Sequence, residues 1–144
     1  MTTKLVLHVP GLPVAKGRPR MMRNGHAYTP AKTRHWEAEL KWLAKKASAT
    51  MLEGPLALHV DAVFQIPESW PKWRTVAAEQ GEVVHTTKPD LDNLIKIVGD
   101  GLNGIAYRDD SQICDVSASK RYGPEPGVWI TLELVEKLHR GSKR

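Results

Sequence analysis

The chain has 144 residues, 41% of them hydrophobic and 26% charged, which fits one globular domain long enough to bury a core and excludes a disordered chain. Its net charge of +5 and pI near 9.4 favour a polyanionic partner without identifying one. The single Cys114 excludes an intrachain disulfide and suits a reducing cytoplasm, Leu5-Val6-Leu7 is too short for a signal-peptide core, and no run of about 18 apolar residues offers a membrane span.

Residues Lys4 to Val9 read as a first strand, ended by Pro10, Gly11 and Pro13. Pro13 to Tyr28 carries Gly17, Pro19 and Gly25 without periodicity and reads as a loop. Thr29-Pro30 then starts a helix, with Thr29 as N-cap. Trp36, Leu40, Leu43, Ala44 and Ala47 form its apolar stripe, and Gly54-Pro55 closes the segment. From Leu56 to Ile66 apolar residues recur at every second position, the clearest strand signal in the chain. Pro67 to Pro89 is a long connection in which Trp73 to Gln80 could form a short helix. Leu91, Leu94, Ile95, Val98 and Leu102 make a second helical stripe that Asn103-Gly104 ends. Two more strands, Ser111 to Tyr122 and Val128 to Val135, are joined by Gly123 to Gly127, and the tail 139–144 is polar. The order β-α-β-α-β-β predicts an α+β fold: a single two-layer domain with two helices on a mixed four-stranded sheet.

The chemistry concentrates in two strings, Lys88-Pro-Asp-Leu-Asp-Asn-Leu-Ile-Lys96 and Tyr107-Arg-Asp-Asp-Ser-Gln112. On a helix starting at Leu91, residues Asp92, Lys96, Gly99 and Asn103 share one face, and Asp90 sits at the open N-terminus. The helix carries the chain roughly 18 Å away, and an extended return can cover about 25 Å, so Asp110 can come back toward its start. Mg²⁺ prefers oxygen ligands and keeps several waters, so such carboxylates suit it. The ion would lower the pKa of a bound water and neutralise phosphate charge, and Lys96 would add a fixed positive charge. Gly99 would leave room for a DNA backbone. Each signal also has a plain alternative. Asp90 or Asp92 could cap the helix, Asp109-Asp110 could be turn residues, and Lys96 could pair with Asp92 on a solvated face.

The combined string resembles the RusA family of Holliday junction resolvases, whose pattern is K-P-D-[LI]-D-N-L-x-K, a helix, D-D-S/A-Q, and a strand ending in lysine. Here it reads Lys88 to Lys96, then Asp109-Asp110-Ser111-Gln112, then Lys120. Lys16-Gly17-Arg18-Pro19-Arg20 and Tyr28-Thr29-Pro30-Ala31-Lys32-Thr33 are similar to the family's N-terminal block. The resemblance implies a homodimeric endonuclease that resolves four-way DNA junctions with Mg²⁺, or Mn²⁺ in its place. It implies that Asp90, Asp92 and Asp110 bind the metal and act in catalysis, that Lys96 is the catalytic lysine, and that Asp109 is the less suitable member of its pair.

Lys16, Arg18, Arg20, Arg23, Lys32, Lys88 and Lys120 are the expected DNA contacts. Trp70, Lys72, Trp73 and Arg74 could stack on bases or belong to the core. His85 could touch phosphate, although a lone His is more often incidental, and Cys114 reads as core with Asp115 in a supporting role. Two rival functions stay open: a DNA-binding module without catalysis, for which the basic segment suffices, and a nuclease acting mainly on flaps or forks.

Overall fold

The computed structural model describes residues 3–16, 20–28, 30–47 and 50–135. Strands β1 (Lys4–Pro10), β4 (Leu56–Phe64), β5 (Ile113–Tyr122) and β6 (Gly127–Leu134) form one mixed sheet in the order β1-β6-β4-β5. The alternation that marked β4 puts it at the centre, with Leu56, Leu58, Val60 and Ala62 at most 2% exposed. It pairs with β6 antiparallel and with β5 parallel. A parallel neighbour requires a crossover connection, and residues 65–112 supply it. Residues 123–126 join β5 to β6, yet β4 lies between these two strands.

Helices α1 (Ala31–Ala47) and α3 (Leu91–Leu102) pack on each other, with α1 also against β1 and α3 against β5. The expected α1 stripe is buried at Trp36, Leu40 and Ala44, while Ala47 is exposed. The helix begins after Pro30, whose carbonyl accepts from Arg34 N; Thr29 lies outside the described residues, as does the tail 139–144. On α3 the buried stripe is Leu94, Ile97, Val98 and Leu102, rotated from the expected one. Leu91 is 38% exposed instead. This spacing of three, one and four keeps one face on the core. It leaves Asp92 and Lys96 on an exposed face.

Two further differences follow from local chemistry. The expected loop contains a small hairpin, β2 (Arg20–Met21) and β3 (Ala27–Tyr28), turned at Asn24-Gly25 with Gly25 at φ 87°. The long connection contains α2 (Lys72–Glu79), where the sequence allows a short helix over Trp73 to Gln80. Cys114, expected in the core, is exposed: Ile113 pairs with Leu56 and Asp115 with Ala57, so Cys114 sits in a register shift that interrupts the alternation. Among the described residues no helix is long and apolar enough to cross a membrane.

Candidate active site

The start of α3 holds two carboxylates, one of which has no hydrogen bond among the described residues. Asp90 occupies the N-cap position with extended backbone (φ −74°, ψ 152°), and its carbonyl accepts the first helical bond from Leu94 N at 3.1 Å. Its side chain makes no capping hydrogen bond. The plain helix-cap reading therefore does not account for this aspartate. Asp92 is exposed in the first turn and, among the described residues, accepts only from the adjacent Asn93 N, at 3.0 Å. Both carboxylates stand at the positive end of the helix dipole.

Asp109 and Asp110 have different roles. Asp109 accepts from Ser111 N, and Gln112 Oε1 accepts from Asp109 N and Arg108 N in return, a capping box on a one-turn 3-10 helix (Asp110–Gln112). Hydrogen bonds from the Ser111 side chain and backbone, and then from the Asp110 backbone, hold the Asp109 carboxyl below the usual carboxylate range. Gln112 Nε2 donates to the carbonyls of Leu52 and Gly54, which fixes the turn to the rest of the fold. Asp110 is exposed and, among the described residues, carries no side-chain hydrogen bond. It lines a cleft of about 250 Å³ with Lys96, Gly99, Leu58, Ile95, Ile113 and Val116. The chain thus returns Asp110 to the level of Lys96 and Gly99.

Lys96 pairs with Asp100 one turn on (3.5 Å) and not with Asp92. Asp100 also meets Lys16 at 3.2 Å, and Lys16 meets Glu37 at 2.8 Å. Burial alone would lower the Lys16 pKa, but the hydrogen bonds to Glu37 and Asp100 outweigh it and raise the pKa above the ordinary lysine value. Lys41 donates to the carbonyls of Asp100 and Gly101. The sequence reading did not single out Asp100, although the i,i+4 spacing from Lys96 was a usable signal. It also passed over Tyr107, which is fully buried and donates to the Gly99 carbonyl at 2.7 Å. Burial, and then the charges of Asp110, Asp100 and Asp109, push the Tyr107 phenol well above its usual pKa, so it stays a donor at neutral pH.

A second cleft, about 450 Å³, opens on the other side of the α3 start. Asp90, Asn93, Lys88, Pro89, Lys32 and Thr33 line it, together with Pro13 to Ala15 and Pro30. Lys32 and Lys88, two expected DNA contacts, therefore flank Asp90. Lys16 is held by its carboxylate partners, and its backbone N–H donates to Asn93 O at 3.2 Å. Arg23 is exposed in the hairpin turn; Arg18 and the Arg20 side chain lie outside the described residues. Lys120 donates to the carbonyls of Thr87 and Pro89. His85, only 9% exposed, stacks on Phe64 at 3.6 Å and lies near Tyr122. Trp70 packs edge-on against Tyr122 with Arg74 over its ring, while Trp73 is 69% exposed.

The four expected site residues are thus divided. Asp110 and Lys96 share one cleft, Asp90 opens on the next, and Asp92 projects from the first turn of α3. Among the described residues no group of three or more His, Cys, Asp or Glu side chains is gathered closely enough to hold a metal ion. The donor set still suits Mg²⁺, which needs one or two protein carboxylates beside waters and substrate phosphate. Asp90 and Asp110 offer carboxylates that no protein hydrogen bond occupies among the described residues.

Residues 10–133 match the family Endodeoxyribonuclease RusA. The chain belongs to the RusA endodeoxyribonuclease family. It is also similar to the "Uncharacterized protein YqaN" of Bacillus subtilis (strain 168), 39% identical over 131 residues that cover 87% of this chain and 92% of that protein. The RusA match takes in both clefts, from Pro10 to Glu133, and makes this chain a member of a hydrolase family that cuts DNA.

Proposed function

We propose that this RusA-family chain is a Mg²⁺-dependent endonuclease that resolves four-way DNA junctions in recombination and repair, working as a homodimer. The observation that carries the reading is the pairing of Asp110 with Lys96 in one cleft, beside a helix start whose N-cap carboxylate is left unused. Asp90, Asp92 and Asp110 would hold the metal, whose chemistry is to acidify a water and neutralise phosphate charge. Lys96 places an ammonium on the same face, where it stabilises the negative charge that builds on the phosphoryl oxygens. Asp100 limits the swing of that ammonium. Lys32 and Lys88 bind the strand next to Asp90, so positive side chains border the acidic centre and offset its repulsion of DNA. A binding module without catalysis has no use for exposed carboxylates at that spot.

The test is cleavage of a labelled four-way junction with Mg²⁺, with and without EDTA, beside flap and fork substrates. Paired nicks giving linear duplexes are expected, and EDTA stops them. Asp90→Asn, Asp92→Asn and Asp110→Asn abolish cutting and keep junction binding. Lys96→Ala slows it by roughly a hundredfold to a thousandfold, the usual cost of removing one transition-state donor. Cleavage by Asp110→Asn at the parent rate refutes the mechanism. Chelator-insensitive binding without any cutting favours the module, and faster cutting of flaps or forks redirects the substrate assignment.

A further inference from the structure

We infer that Lys120 is a positioning residue for the acidic start of α3 and not a contact to the DNA backbone, an inference that rests on the nuclease reading above. Lys120 lies near the end of the edge strand β5, opposite Ala62 of β4. Its ammonium donates to Thr87 O at 2.7 Å and to Pro89 O at 2.9 Å. The second acceptor belongs to the peptide that joins Pro89 to Asp90.

The clamp acts where the backbone has little else to hold it. Among the described residues, 83–89 make no backbone–backbone hydrogen bond: the last before them is Glu82 N to Ala77 O, and the next is Leu94 N to Asp90 O. The approach to Asp90 is fixed from the side by two groups. His85 stacks on Phe64 and its Nε2 lies 3.3 Å from Thr87 Oγ1; Lys120 spans Thr87 and Pro89. Bonds from a charged donor are about twice as strong as neutral ones. Two of the three donors of this ammonium are used in this way, and the residue is half-buried, so a single donor is left for phosphate.

Asp90 needs such a clamp because, among the described residues, its side chain has no hydrogen-bond anchor. With no capping hydrogen bond, the carboxylate goes where residues 87–90 put it. Mg²⁺ accepts only near-ideal octahedral geometry, so a loosened approach to Asp90 weakens metal binding and slows the chemistry more than it weakens DNA binding.

Lys120→Met keeps the aliphatic stem and removes the ammonium, Lys120→Arg restores a cationic donor, and Lys120→Gln supplies a neutral one should the Met variant not fold. Three readouts are taken on the full chain: Mn²⁺ affinity of the DNA-free protein by calorimetry, backbone hydrogen exchange over 83–93, and junction cleavage at saturating enzyme beside junction affinity against salt. For Lys120→Met the clamp predicts weaker Mn²⁺ binding, faster exchange, and cutting slowed roughly tenfold or more, the equivalent of one charge-assisted hydrogen bond. Junction affinity and its salt slope stay at the parent values. Lys120→Arg recovers most of the loss, and Lys120→Gln falls between. A parent-like cleavage rate at saturation, with weaker binding and a salt slope lower by about one, identifies a phosphate contact and overturns the inference. Parent-like behaviour in every readout overturns it too. If the parent protein itself cuts no branched DNA, the nuclease reading fails, and Mn²⁺ affinity and exchange still decide whether Lys120 is a clamp.

Discussion

Asp109 and Asp110 are adjacent and chemically alike, yet the backbone gives them opposite roles. One carboxylate closes a capping box, and the other is left open beside Lys96. Spacing alone offered only the pair, and the resemblance marked Asp109 as the less suitable member; the return of Gln112 to Asp109 N gives a physical reason why Asp109 is spent on the turn. His85 likewise takes one of the two readings that the sequence left open. Read as a possible phosphate contact, it is buried against Phe64 and Tyr122. Burial, and then the nearby charge of Lys120, lower its pKa from the ordinary histidine value. The folded state therefore resists a proton that the unfolded chain accepts, so stability from the neutral ring is complete above pH ~6.5 and declines as the pH falls below it. Melting temperature measured from pH 8 to pH 5 should drop on the acid side. His85→Phe keeps a ring for the Phe64 stack and should flatten that drop. An unchanged acid slope in the variant assigns the loss to other groups.

Within α3, two glycines two residues apart make opposite predictions. A Cβ at Gly99 would meet only Tyr107 Oη, at 3.8 Å, an ordinary contact. Gly99→Ala should raise stability by up to about 1 kcal/mol through helix propensity. It should nonetheless slow junction cleavage, because the new methyl group enters the cleft of Asp110 and Lys96. A Cβ at Gly101 would fall 2.7 Å from Leu40 Cδ2, with Leu40 Cγ at 3.4 Å, where α1 and α3 touch. Leu40 is fully buried and cannot move aside freely, so Gly101→Ala should lose roughly 1–3 kcal/mol in denaturant melts. Equal stability of the two variants would contradict this account of the helix pair. The helix itself was legible from its apolar spacing, but its rotation was not. Leu91 and Ile97 are equally apolar in the sequence, and only the position of α1 and the sheet chooses Ile97 for burial. β4 was legible because its alternation matches a strand with one covered face. Cys114 was not, because a register shift has no local composition signal.

At the scale of the whole molecule, local pattern predicted the elements but not the order of the strands. The short link of residues 123–126 suggests that β5 and β6 are neighbours, whereas β4 inserts between them and pairs with both. Such long-range pairing depends on which faces must be covered, information that no short window contains. The same holds for the site. Spacing showed that Asp110 could return to α3, and packing of Tyr107 against Gly99 fixes the level at which it does. Function adds a requirement beyond the single chain. A four-way junction has approximate two-fold symmetry and needs two cuts, and a C2 pair of subunits would present two centres to matching strands. If the homodimer proposed here is correct, sedimentation at micromolar protein gives twice the chain mass of 16.1 kDa. Parent chains exchanged with excess Asp110→Asn chains should then form mixed pairs that nick one strand and leave the junction unresolved. The nicked product should rise and the resolved product fall as the inactive chain is added. A protein that sediments at the mass of one chain and still makes paired cuts would show that each subunit acts alone.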